Sequence, residues 1–335
     1  MMSQLSPLLA LAPMQDITNA PFWALVAARG GADFYCTEYF RVHRDSRPDK
    51  HILRSILNNP TSRPVVAQLI GDDVAALVRT ARELQQYPIA AIDLNLGCPV
   101  PTVYRKRAGG GLLRDPHHIN TILGALRDAV RVKFTVKTRL GFLHAAEWDE
   151  LLAIFVKHPL DMLTVHGRTV TQMYRGEVRY DLIAAAVAAM PCAVLANGNI
   201  SSARQAADVL AFTGARGLMI GRGAIRNPWL FEQIRQHLRG EQVILPRARD
   251  VLDYVRQLHE IVSINLKRET PRVHAMKRYL NFLAPGVEPT GRFHHDICHV
   301  KTEAEFFRVC ESFLGGDEPM ALEPVSPVIG SQQPT

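Results

Sequence analysis

Residues 90–99, Ala90-Ala91-Ile92-Asp93-Leu94-Asn95-Leu96-Gly97-Cys98-Pro99, begin as an apolar run of strand length and stop on a glycine, a lone thiol and a proline. The chain then opens into the basic segment Arg105-Lys106-Arg107 and the triple glycine Gly109 to Gly111, which reads as flexible backbone. A strand ending on a thiol beside cations has the look of a reactive group held at the mouth of a site. The alternative for a lone cysteine is a small buried hydrophobe. Context favours the site, because several other strands in this chain end in the same way with different chemistry.

Working outward, Leu8 to Pro13, Phe34 to Phe40 and Val65 to Leu69 read as strands before this one. Phe134 to Arg139, Met162 to His166, Ala193 to Ala196 and Gly217 to Ile220 follow it. Helical patterns lie between them: Pro21 to about Arg29, Asp73 to Gln86, His117 to Val130, Ala145 to His158 and Asp181 to Met190, then one capped by Ser201 and one begun by Pro228. About eight short apolar strands alternating with helices predict an α/β fold, a closed (β/α)8 TIM barrel over residues 1–240. The rival, an open doubly wound sheet, usually stops nearer six strands. After Gly240 the pattern changes: Arg247 to Leu266, Pro271 to Leu283 and Lys301 to Leu314 are helical with no strand between them. That predicts a small all-helical C-terminal domain, 241–314. The Pro-, Ser-, Gly- and Gln-rich stretch 315–335 reads as a disordered tail.

With 335 residues and 47% hydrophobic content, the chain can bury a substantial core. No apolar run reaches the roughly 18 residues of a membrane span, and Met1 to Ser6 lacks the pattern of a signal peptide. Cysteines 36, 98, 192, 298 and 310 are odd in number and scattered, which suits a reducing cytoplasm rather than a disulfide framework. The net charge of +7 points weakly to a polyanionic partner.

Catalytic groups in such barrels sit where strands end. Here those residues are Met14 and Gln15, Gln68, Asn95 and Cys98, Lys137 and Arg139, His166, Asn197, and Gly221 with Arg222. The absence of paired carboxylates argues against glycoside hydrolysis. No multi-cysteine spacing supports a metal. Amide, cation, imidazole and thiol remain, a set suited to holding an anionic cofactor and donating one proton. The last two strand ends are glycine-rich and precede helices, so Gly198, Asn199, Gly221 and Arg222 are phosphate candidates, with ordinary tight turns as the alternative. Lys137 interrupts a β-branched strand and is expected to face the barrel interior, where it needs an anion; on the outer face it would snorkel. His166, taken alone, suits a structural role as well as a catalytic one.

Taken together, these residues resemble the dihydrouridine synthase family, flavin enzymes that reduce uridine in RNA. The resemblance runs from Leu9 to about Leu283. It rests on Ala12-Pro13-Met14, Asn95-Leu96-Gly97-Cys98-Pro99 followed by Gly109-Gly110-Gly111-Leu112-Leu113 and Pro116, and Lys137-Thr138-Arg139-Leu140-Gly141. His166-Gly167-Arg168-Thr169, Ala196-Asn197-Gly198 and Ile220-Gly221-Arg222-Gly223 complete the set. The region with Arg272, His274, Lys277 and Arg278 also resembles the family's RNA-gripping C-terminal domain. Three positions depart from the pattern: Asp16 stands where the family usually has Gly, Asn19 where it has Asp, and Asn199 where it has an acid.

The resemblance implies FMN held by Pro13, Met14, Gln15, Gln68, Lys137, His166, Asn197, Gly198, Asn199, Gly221 and Arg222. It implies Cys98 as general acid, with Asn95, Arg139 and Tyr174 contacting the target uridine or its neighbours. NADPH is the implied reductant, with hydride passing from flavin N5 to uridine C6 and a proton from Cys98 to C5. A monomer acting on tRNA is expected, with Arg272, Lys277 and Arg278 on the RNA and neither membrane nor metal involved. Two further readings stand beside it: dihydrouridine formation in ribosomal RNA, and an FMN barrel reducing a small dihydropyrimidine or enoate. The basic helical region argues against the small substrate.

Overall fold

A computed structural model describes residues 6–324. Nine parallel strands run in chain order: β1 Leu8–Leu11, β2 Phe34–Cys36, β3 Phe40–Arg41, β4 Val65–Ile70, β5 Ala91–Leu96, β6 Lys133–Arg139, β7 Met162–His166, β8 Ala193–Asn197 and β9 Gly217–Ile220. Each pairs with the next from β4 through β9, β9 pairs with β1, β1 with β2, and β2 with β4, so the sheet closes on itself. The fold is a TIM barrel, as the strand–helix alternation predicts. The predicted second strand, Phe34 to Phe40, is split: β2 pairs with the start of β4 and β3 with its end, through Phe40 opposite Leu69.

The barrel interior is apolar at its base and polar at its mouth. Ala10, Phe34, Cys36, Val66, Ala91, Leu195 and Met219 form one buried cluster. Two residues further along their strands the inward positions turn polar, which is why β5 reads Ala91, Asp93, Asn95 and β6 reads Thr135, Lys137, Arg139 on alternate residues. Helix starts follow local capping. Asn19 accepts from the Phe22 N–H at the head of helix Ala20–Ala27, so the family's usual Asp there has a chemical equivalent. Asp73 and Asp115 do the same for Val74–Leu84 and Pro116–Ala129. Helix Lys50–Leu57, capped by Asp49, lies in the cation-rich stretch between β3 and β4, where Arg41, His43, Arg44, Arg47, Lys50 and Arg54 make the sequence read as a loop.

The chain divides into two compact units, the first 1–200 with 204–221 and the second 201–203 with 222–335. The boundary at Gly221 precedes the one drawn at Gly240. Helices Leu230–Leu238, Ala248–Asn265, Glu269–Leu283, Arg292–His299 and Glu303–Leu314 make up most of the second unit. The stretch after 315, expected to be disordered, is anchored as far as it is described: the Met320 N–H donates to Pro246 O, and Leu322 is buried. Residues 325–335 lie outside the described part.

Candidate active site

Three rungs of the barrel carry its polar groups. Register sets Gln68, Asp93 and Thr135 side by side across β4, β5 and β6. Asn95, Lys137 and Thr164 form the next rung, and Arg139, His166 and Asn197 the one at the mouth. In the lowest rung Asp93 accepts from Thr135 Oγ1 at 2.6 Å and from Gln68 Nε2 at 2.8 Å. Gln68 Oε1 accepts from Asn95 Nδ2 at 2.8 Å, and Asn95 Oδ1 accepts the backbone N–H groups of Gly97 and Cys98, each at 2.9 Å. Asn95, expected to touch substrate, thus also bonds the loop that carries the thiol. Burial raises the Asp93 carboxyl pKa, against the pull of Thr135, Gln68 and Lys137.

Arg139 is likewise drawn inward. It is 2% exposed, its Nε donates to Gly97 O at 2.8 Å, and its Nη1 donates to Thr169 O at 2.9 Å and Met173 O at 2.7 Å. One guanidinium thus ties the Cys98 loop to the 169–173 loop. It also lies 5.6 Å from the Tyr174 ring centroid, and Tyr174 is exposed. Behind Cys98 the triple glycine opens a 3₁₀ turn, Gly109–Arg114, buried from Gly109 to Leu113, whose Gly110 N–H donates to Cys98 O at 3.1 Å. A Cβ on Gly110 would meet Val170 Cγ2 at 2.5 Å and Cys98 O at 2.8 Å, so only glycine fits. Cys98 is half-buried, and its pKa is raised by burial, with the charges of Arg139, Lys137 and Arg41 pulling the other way. The thiol therefore keeps its proton at neutral pH.

Beside it, Lys137 is inward and half-buried, donating to Asn197 Oδ1 at 3.0 Å. Lost solvation, then the Arg139 charge, pulls its pKa down to about 8. His166 is buried, with Arg168 Nη1 at 3.5 Å from its Nε2. Arg168 Nη1 also donates to Asn199 Oδ1 at 3.2 Å, so the neutral Asn199 holds this guanidinium as an acceptor. Gly198 sits at φ +132°, where an added Cβ would crowd Val178 and His166, and Tyr180 donates to its carbonyl at 2.6 Å. At the first strand end Thr18 Oγ1 accepts the Met14 N–H at 2.7 Å, while Gln15 is exposed. Asp16 adopts φ +59°, the left-handed region that explains a glycine preference at this position, and its N–H donates to Glu38 at 2.5 Å. A Cβ added at Gly221 would lie 3.4 Å from Ala12 Cβ and from Met14 Sδ. The donor set here — ammonium, imidazole, guanidinium, amides and close-approach glycines — fits a flat, anionic, multiply hydrogen-bonding group such as a flavin nucleotide.

A family model described as dihydrouridine synthase matches residues 10–315. The chain belongs to the dihydrouridine synthase family. Among curated relatives of this family, tRNA-dihydrouridine synthase B of Yersinia pestis is 35% identical over 290 residues, covering 84% of this chain and 89% of that protein. The protein of the same name from Pasteurella multocida is 30% identical over 324 residues, covering 93% and 94%. Histamine dehydrogenase from Rhizobium sp. 4-9 shares the barrel, with a TM-score of 0.54 at 12% identity, covering 74% of this chain and 48% of that one. At that identity the likeness concerns fold alone.

In the second unit two expected RNA contacts have internal partners. Arg272 pairs with both carboxylate oxygens of Glu303, its Nη2 at 2.9 Å from Oε2, and His259 Nε2 lies 2.7 Å from Oε1. Lys277 donates to Cys298 O at 2.8 Å and Val300 O at 2.7 Å, satisfying carbonyls at the end of helix Arg292–His299. Arg278 is exposed, as are Lys267, Arg268 and His274. Arg222 opens the short helix Arg222–Arg226 of this unit. The sequence reading gave no role to Asp93, Glu38, Arg168 or Tyr180. Asp93 alone had a usable signal, a carboxylate at an inward strand position one rung from Lys137.

Proposed function

We propose that this protein reduces a uridine of tRNA to 5,6-dihydrouridine, with FMN as its cofactor and NADPH as the electron donor. Family membership gives the reaction, and the relatives' name gives the class of RNA. The observation that carries the chemistry is the setting of Cys98: a half-buried thiol past the end of β5, its carbonyl bonded by the Gly109–Arg114 turn and its neighbour Gly97 by Arg139. A bound, reduced flavin supplies the hydride that uridine C6 receives. Cys98 holds the proton that C5 takes up, and its raised pKa keeps that proton in place at working pH. Lys137 would sit at the electron-rich edge of the ring, and Gln68, Asn197 and the Pro13-Met14-Gln15 loop at its other hydrogen-bonding edges. His166, Gly198, Asn199 and Gly221 would face the phosphate. Tyr174, exposed beside the thiol loop, offers a stacking face to a base drawn out of the RNA. Arg41, His43, Arg44 and Arg47 of the first unit, and Lys267, Arg268 and Arg278 of the second, would meet phosphates and make binding steeply salt-dependent.

The first test is the absorbance spectrum of the purified protein, repeated after NADPH is added without oxygen. Flavin bands that bleach support the proposal. A colourless protein that FMN does not reconstitute sinks it. A Cys98→Ala variant that binds tRNA yet forms no dihydrouridine assigns the proton donor.

A further inference from the structure

We infer that Asp93 is a positioning residue: its carboxylate sets the orientation of the Gln68 and Asn95 side-chain amides, and through them fixes the backbone of Cys98. The bonds form one directed chain. Both Asp93 carboxylate oxygens accept, one from Thr135 Oγ1 and the other from Gln68 Nε2, so Gln68 turns its –NH₂ toward Asp93. That leaves Gln68 Oε1 facing Asn95, which must in turn present its –NH₂. Asn95 Oδ1 is then aimed at the loop, where it takes the N–H groups of Gly97 and Cys98. Thr135 holds the second carboxylate oxygen, so the origin of the chain does not rotate. All four side chains are buried, with Gln68 at 0% exposure, Thr135 at 3%, Asp93 at 4% and Asn95 at 7%. In such surroundings a reversed amide leaves two like groups face to face, so one misoriented link disorders those beyond it. The effect on catalysis rests on Cys98 being the proton donor; the effect on the loop does not.

The isosteric change Asp93→Asn removes the direction. Its amide can donate to Gln68 Oε1, after which Gln68 donates to Asn95 Oδ1 and takes it from the loop. The pair Asp93→Asn with Gln68→Glu restores the direction one residue along, because a carboxylate at position 68 accepts both from the new amide at position 93 and from Asn95. Hydrogen exchange of the full-length protein, without cofactor or RNA, reads the Gly97 and Cys98 amides directly. Asp93→Asn is expected to speed their exchange about tenfold while the β7 and β8 peptides keep wild-type rates, and the double variant to return them close to wild type. Wild-type exchange in Asp93→Asn overturns the inference, as does a folded double variant whose loop stays open. Should Asp93→Asn open the whole barrel, the double variant decides. Should both unfold, scalar coupling across the Asn95 Nδ2 to Gln68 bond in the wild-type protein decides, and its absence overturns the chain. In turnover, Asp93→Asn is expected to lower kcat with KM for tRNA unchanged. If wild-type protein makes no dihydrouridine while the exchange pattern holds, the proposed reaction fails and the amide chain stands.

Discussion

Replacing Arg139 by Met tests the clamp between the thiol loop and its neighbour. The change keeps much of the side-chain length and removes the donors to Gly97 O, Thr169 O and Met173 O. The first two bonds are fully buried and the third is partly open to solvent, so water can replace only the last. A buried carbonyl left without a donor costs about 1–3 kcal/mol, giving roughly 2–6 kcal/mol for two. Removing a guanidinium that is itself costly to bury offsets part of this. The net loss expected is about 3 kcal/mol, survivable against typical total stabilities of about 5–15 kcal/mol. Arg139→Lys keeps the charge but not the planar fork, and should fall between the two. Urea unfolding, followed peptide by peptide by hydrogen exchange so that β6 is read apart from the second unit, measures the loss. Dihydrouridine formation should fall at least about tenfold in Arg139→Met, because Gly97 O is adjacent to Cys98. A loss under about 1 kcal/mol, or a lysine variant equal to wild type, would refute the clamp.

Three further expectations come from the same geometry. Lys137 loses its proton near a pKa of about 8 in the free protein, so FMN affinity should weaken as pH rises beyond it, while Lys137→Met binds weakly with no such break; flavin titration between pH 6.5 and 9.5 reads both. Glu303 is held down to about 2 by Arg272 and His259, from a usual 4.5, so its folded pKa lies below its unfolded one. The stability it adds is full above the unfolded value and drains away as pH falls toward about 2; the melting-temperature gap between wild type and Glu303→Gln should therefore be widest near pH 6 and narrow steadily below pH 4.5. Gly110→Ala places a methyl on Val170 and on the Cys98 carbonyl, and should lower kcat at least about tenfold with tRNA affinity kept; unchanged turnover would show the turn can give way.

The barrel was legible because each strand is a short apolar run and each ends in a change of chemistry. On β6 the β-branched pattern also put Lys137 on the inward face. What escaped the sequence was partnership. Arg272 and Lys277 look like RNA contacts as isolated cations, but their partners, Glu303 and the carbonyls of Cys298 and Val300, lie far along the chain. Asn95 and Arg139, expected at the substrate, also bond the Cys98 loop, which the sequence does not show. The triple glycine suggests flexibility by composition, yet Gly110 and Gly111 are there because a Cβ would meet Val170, the Cys98 carbonyl and the Tyr104 backbone. Helix Lys50–Leu57 was hidden by its charge, although Ile52 and Ile56, four residues apart, both reach the interior. Past 315 there is no periodicity to read, and isolated apolar residues such as Met320 and Leu322 do the anchoring.

The most direct test of the central claim is nucleoside mass spectrometry of an unmodified tRNA transcript, after incubation with FMN-loaded protein and NADPH. Dihydrouridine should appear with wild type and not with Cys98→Ala, although that variant still binds the transcript. Uridine left intact by a flavin-loaded wild-type protein that NADPH reduces would contradict the account.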